Sequence, residues 1–154
     1  MRILFVCTGN ICRSPTADGV ARARIAALGL DWVIDSAGTG DWHAGESPDE
    51  RATETAARRG YDLSPLRARA VDRADFDRFD HLIAMDASHE RFLRRLAPGR
   101  SGGLVSRLMD WVDAPAERDV PDPYYGHDDG FERVLDQIEA GVDGLIARLA
   151  HPSG

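Results

Sequence analysis

Residues 3–15 read Ile3-Leu4-Phe5-Val6-Cys7-Thr8-Gly9-Asn10-Ile11-Cys12-Arg13-Ser14-Pro15. An apolar run of strand type ends at a cysteine, a short polar loop follows, and Ser14-Pro15 reads as N-cap and first helical residue. A strand that turns through such a loop into a helix aims backbone N–H groups at one spot. The helix N-terminus behind the loop adds partial positive charge, which favours both a bound anion and an ionised thiol. Five residues separate Cys7 from Arg13, the spacing at which a thiolate, the loop amides and a guanidinium converge on one phosphate-sized anion. Gly9 and Asn10 tolerate the left-handed backbone that a cradle needs. Thr8, Gly9, Asn10, Ile11, Cys12 and Ser14 are therefore expected to bind a tetrahedral oxyanion, with Cys7 beneath it as the nucleophile. The bland alternative is an inert Cys7 buried at a strand end, followed by an ordinary turn.

Working outward, strand and helix signals alternate, which predicts an α/β fold with a parallel sheet wrapped by helices. Strands are expected at 2–7, 31–36, 81–85 and 104–109. A helix over 15–28 carries Ala17, Val20, Ala21, Ile25 and Leu28 on one face and is closed by Gly29. Another is expected over about 48–59, opened by Ser47-Pro48 and closed by Gly60, and a third over 88–96. The last helix is the clearest, with Phe131, Val134, Leu135, Ile138, Val142, Leu145, Ile146 and Leu149 in one stripe. Gly141 and Gly144 should weaken it, each by about 1 kcal/mol relative to alanine.

At 154 residues the chain fits one domain, expected over 1–150 with a loose tail at 151–154. Its apolar stretches are far shorter than a membrane span, and no leader-like segment precedes the first strand. The cytoplasm is the expected compartment, with leaderless export left open. Two cysteines in one loop make no disulfide framework, which agrees with a reducing compartment. Net charge is −7 and every one of the 19 basic residues is arginine, so nucleic acid is disfavoured as a partner. Arg13 must act locally, against the field of the whole chain. No spacing of His, Cys, Asp and Glu suggests a metal site, and no cofactor is expected. A monomer, with weak self-association at most, is the expected state.

A second cluster lies far along the chain at Val120-Pro121-Asp122-Pro123-Tyr124-Tyr125-Gly126. Proline on either side stiffens the backbone and holds the Asp122 carboxylate on a rigid loop, with aromatic surface beside it. Aspartate, proline and glycine are also common turn residues, so a plain solvent loop is the alternative. A cysteine nucleophile working on phosphate needs an acid for its leaving oxygen, and Asp122 is the candidate.

Both segments resemble the low-molecular-weight protein tyrosine phosphatase family, and the likeness covers nearly the whole chain. Ser36-Ala37-Gly38-Thr39 looks like that family's second strand and turn. Trp42-His43-x-Gly45, with Asp49-x-Arg51-Ala52, is similar to the segment walling its active site, and Met85-Asp86-x-Ser88 to its third strand and turn. The resemblance implies a four-stranded parallel sheet with the phosphate loop at its C-terminal edge. It also implies hydrolysis of phosphotyrosine proteins and aryl phosphates through a phosphocysteine, without a metal. The catalytic cysteine, arginine and loop serine carry onto Cys7, Arg13 and Ser14, and the general acid onto Asp122. Trp42, Tyr124 and Tyr125 would wall the substrate pocket, unless they are plain core or surface aromatics. The resemblance further implies that Cys12 is a redox partner of Cys7; packing under the loop is the alternative.

The chain departs from the family at Leu66, where Ser64-Pro65-Leu66-Arg67-Ala68-Arg69 lacks the histidine that often supports the loop asparagine. Ser14 and Ser36 are then the expected partners of Asn10. His89 stands where asparagine is common, and no function attaches to it. Three rivals share the loop. Arsenate reductases resemble it with a further cysteine pair near the third strand, and residues 80–96 contain none. Protein-arginine phosphatases have threonine where Ile11 stands. A non-catalytic phosphate-binding module would lack the nucleophile or the acid.

Overall fold

The structure, a computed structural model, describes residues 1–99, 102–123 and 129–151. Its strands are β1 (Arg2–Cys7), β2 (Val33–Gly38), β3 (His81–Ala84) and β4 (Leu104–Arg107), and its helices α1 (Arg13–Leu28), α2 (Glu50–Arg58), α3 (Asp75–Arg78), α4 (Ala87–Leu96) and α5 (Asp129–Ala150). The four strands form one parallel sheet in the order β2-β1-β3-β4. This is the expected α/β architecture.

β1 is the hinge of the topology. From it the chain goes first to β2 on one side and later to β3 on the other, and such sheets bind ligands where the order reverses, beyond the strands' C-terminal ends. The strand is covered on both faces, which is why it reads as an unbroken apolar run. Ile3, Phe5 and Cys7 face α1 and α5, while Leu4 and Val6 face the layer built from Phe76, Phe79 and Leu93. Ile3 to Val6 are fully buried, worth roughly 1.5–3 kcal/mol per side chain. Cys7 pairs with Gly38 across the sheet, so the loop leaves β1 level with the end of β2.

Several boundaries move for physical reasons. α1 begins at Arg13 with Cys12 as N-cap and no side-chain cap, because the Ser14 hydroxyl serves the loop instead. It ends as expected at Gly29, whose left-handed φ of 67° lets the Gly29 and Leu30 amides bond to Ala26 and Ile25. Leu28 is exposed, since the helix outruns the core. The N-cap of α2 is Asp49, accepting from the Arg51 and Ala52 amides, so the helix starts after Ser47-Pro48. β2 runs two residues later than its apolar signal. β4 stops at Arg107, whose amide bonds to Asp110 and opens a 3₁₀ turn over Leu108–Trp111. That turn explains Gly141 and Gly144: a Cβ at either would run into Leu108 or the Trp111 carbonyl. The glycines weaken the helix but let the turn pack against it.

Candidate active site

The loop leaving β1 is pinned along its length. The Cys7 and Thr8 carbonyls both accept from the Thr39 amide, at 2.9 and 3.0 Å, and the Ile11 carbonyl accepts from Asp49 N–H at 2.8 Å. Asn10 is buried and left-handed, with φ of 59°. Its Nδ2 donates to Ser14 Oγ at 2.8 Å, and its Oδ1 accepts from the Arg69 amide at 3.0 Å. That main-chain amide does the work expected of Ser36. The buried Asp18 carboxylate beside Ser36 has its pKa raised by burial, against the pull of Arg22.

Cys7 Sγ lies 3.0 Å from Ser14 Oγ in a buried contact. Ser14 Oγ also stands 3.3 Å from the Ala37 carbonyl, so its one proton has two acceptors. With a Cys7 thiol, the thiol can donate to Oγ and the hydroxyl to Ala37; with a thiolate, the hydroxyl turns to sulfur. Asn10 donates to Oγ in both cases.

Arg13 is buried, and its guanidinium is held on three sides. Nη1 donates to Asp86 Oδ2 at 2.9 Å and to the Val120 carbonyl at 3.1 Å; Nη2 donates to Thr8 Oγ1 at 3.3 Å. Asp86 caps α4 through the Ser88 and His89 amides. Burial would raise its carboxyl, but the Ser88 hydroxyl, His89 and Arg13 outweigh it and leave it below its ordinary value. Asp122 Oδ2 sits 3.8 Å from Arg13 Nη2. The loop that carries Asp122 is anchored behind it: Val120 N–H donates to the Met85 carbonyl, and Asp119 takes Ala87 N–H and Arg107 at 3.1 and 3.0 Å.

These groups surround one cleft of about 280 Å³. Cys7, Cys12 and Arg13 line it beside Thr8 and Gly9, Ile11 and Trp42 add apolar wall, and Asp122 stands at its side. Trp42 is 67% exposed, a rim residue and not core. Cys12 packs with Ala52 and Phe131, and burial, then the charge of Asp49, pushes its thiol well up. Tyr124 and Tyr125 lie outside the described residues. Among the described residues no group of three His, Cys, Asp or Glu could hold a metal ion.

Sequence reading gave Asp86 and His89 no role in the site and placed His43 only within the segment that resembles a wall of it. Asp86-x-Ser88 signals only a helix cap. His43 also lines the cleft, with Nδ1 2.6 Å from Glu46 Oε2 and its ring so close to Gly9 that a Cβ there would lie 2.8 Å from Cδ2. His89 is buried beside Thr8, far away in sequence.

Comparison with known proteins agrees with this geometry. The family model described as low molecular weight phosphotyrosine protein phosphatase matches residues 2–153. A Streptomyces coelicolor protein named low molecular weight protein-tyrosine-phosphatase is 48% identical over 153 residues, covering 96% of this chain and 93% of its own. The crystal structure of an Entamoeba histolytica protein tyrosine phosphatase with Hepes in the active site superposes with a TM-score of 0.93 at 37% identity, covering 98% of this chain and 97% of its own. That of DARP, a Drosophila arginine phosphatase, gives 0.94 at 26% identity, covering 99% of this chain and all of its own (100%). The chain therefore belongs to the low molecular weight phosphotyrosine protein phosphatase family.

Proposed function

We propose that this protein hydrolyses phosphotyrosine in protein substrates, and aryl phosphates generally, with Cys7 as nucleophile, Arg13 as phosphate clamp and Asp122 as general acid and base. The observation that carries the reading is that all three line one cleft, with the Ser14 hydroxyl 3.0 Å from the sulfur. The Cys7 thiolate attacks phosphorus, forming the S–P bond as the bond to the phenolic oxygen breaks. Asp122 gives that oxygen a proton. Asp122, now a carboxylate, takes a proton from water, whose oxygen attacks phosphorus and releases inorganic phosphate and the thiolate. Arg13 and the amides of residues 8–13 carry the equatorial charge, a preorganised arrangement that needs no metal ion.

Ile11 in the cleft wall and Trp42 at its rim favour a flat aryl group. The likeness to an arginine phosphatase extends to the whole fold, so the apolar residue at position 11 is what separates the two substrates here. The only two cysteines stand in the loop itself, which disfavours an arsenate reductase relay. Phosphotyrosine proteins in the cytoplasm are the proposed partners, met by a monomer that binds neither nucleic acid nor membrane. No helix among the described residues is long and apolar enough to cross a membrane.

The test compares turnover of phosphotyrosine, phosphoserine and phosphoarginine peptides with chelator present. Phosphotyrosine should dominate, and Cys7→Ser should bind phosphate yet turn over nothing. Equal turnover of phosphoarginine, or a few per cent of activity left in Cys7→Ser, refutes the proposal.

A further inference from the structure

Arg13 donates to Thr8 Oγ1, so the Thr8 hydroxyl proton is free to point elsewhere. A polar atom within reach is His89 Nε2, at 2.8 Å. A hydroxyl donating to Nε2 requires that nitrogen to be bare, which puts the proton of a neutral imidazole on Nδ1. Nδ1 lies 3.2 Å from Asp86 Oδ1, close enough for its N–H dipole to be attracted to the carboxylate but too far off line to count as a made hydrogen bond. The opposite tautomer would turn the Nδ1 lone pair toward that carboxylate, a repulsion the observed approach argues against. The four groups thus close a circuit: Asp86 holds Arg13 Nη1, Thr8 holds Nη2, and His89 stands between Thr8 and Asp86.

The imidazole is 2% exposed. The charged groups facing it come from every neighbouring element: Arg13 on α1, Asp86 at the head of α4, and Asp119 and Asp122 on the acid loop. Burial first, then the Arg13 charge, pushes it down to about 4, so it stays neutral where phosphate monoesters are turned over.

We propose that His89 is a positioning residue of the phosphate site, fixing the Thr8 hydroxyl through its bare Nε2 and, through Thr8, the plane of the Arg13 guanidinium. A guanidinium serves phosphate by presenting two N–H bonds in one plane, so a small rotation costs more than its charge suggests. Asp86 and the Val120 carbonyl together fix one end of that fork. Thr8 fixes the other, and only an acceptor at His89 keeps the Thr8 lone pair turned toward it.

The inference rests on the function proposed above, and turnover by wild type with its loss in Cys7→Ser checks that reading in the same assay. His89→Leu keeps the bulk and removes both nitrogens; Thr8→Val removes only the hydroxyl, at an exposed position. Each should lower kcat about 10- to 100-fold on phosphotyrosine peptide with KM within about two-fold, the signature of lost alignment in the transition state. The double variant should lose no more than the worse single one. His89→Gln, whose amide oxygen can reach the place of Nε2, should recover most of the loss. Nitrogen-15 shifts of wild-type His89 near neutral pH should show Nδ1 protonated and Nε2 bare. Wild-type kcat in His89→Leu, additive losses in the double variant, no recovery by glutamine, or a protonated Nε2 would each overturn the proposal.

Discussion

Acid should destabilise the fold through His89, by an amount that follows from its burial. In the unfolded chain this imidazole titrates at its ordinary value of 6.5, and in the fold at about 4. Between those values the unfolded chain binds a proton that the fold refuses. Stability from this group is therefore fully present above about 6.5 and is lost as pH falls toward about 4. Each pH unit inside the window costs up to about 1.4 kcal/mol, so roughly 3 kcal/mol is at stake, of which about 2 has gone by about pH 5. Against the 5–15 kcal/mol typical of a domain, that is a large share.

Other groups titrate as well, so the measurement must isolate His89. The carboxyls of Asp62, Asp80, Asp86 and Asp110 are held below 3.8, and their losses come later, in stronger acid. Asp18 is raised by burial and works in the opposite sense, and His81, lowered by burial, in the same sense as His89. Urea unfolding of wild type and His89→Gln at about pH 7 and about pH 5 cancels these shared terms. The gap between the two proteins should close by about 2 kcal/mol on acidification, because glutamine has no proton to refuse. A gap that stays constant to within about 0.5 kcal/mol would refute the reasoning, and with it the neutral imidazole in the circuit.

Asp122→Ala should slow phenyl phosphates about 10²- to 10⁴-fold and slow substrates with acidic leaving groups much less, as comparison of kcat across a leaving-group series will show. Ile11→Thr should raise phosphoarginine turnover relative to phosphotyrosine; a flat ratio means that width at this position does not set substrate class. Gly38→Ala puts a Cβ 2.7 Å from the Thr8 carbonyl and 3.1 Å from both Gly40 O and the Gly9 carbonyl carbon, all backbone atoms. It should cost about 1–3 kcal/mol of stability and displace the loop, and wild-type kcat would show that the loop has slack. Cys12→Ser should keep most activity in reducing buffer but recover less than wild type after peroxide and then dithiothreitol. If Cys12 is the redox partner, the Cys7 sulfenic acid formed by peroxide would condense with the Cys12 thiol to a disulfide and water. Its raised pKa should make that step slow at neutral pH and faster in mild base; equal recovery leaves Cys12 as packing alone.

What the sequence made legible was whatever is local. The strand-loop-helix at residues 2–28, the Gly29 stop and the stripe of α5 depend on neighbours a few residues apart, and all stand close to where periodicity puts them. α3 escaped because a single turn has no period to read. The support of Asn10 escaped for a deeper reason. Its outer partner is the amide of Arg69, and a backbone amide leaves no mark in a sequence, so the absence of a histidine at Leu66 pointed wrongly to Ser36. The hold on Arg13 is of the same kind: one partner is the Val120 carbonyl, 107 residues away, and another is a threonine whose hydroxyl is aimed by a histidine 81 residues beyond it. Residue types told which groups could touch a phosphate. Which groups hold those in place depends on the switch in strand order at β1, since that reversal brings the head of α4 and the acid loop against the arginine that α1 delivers.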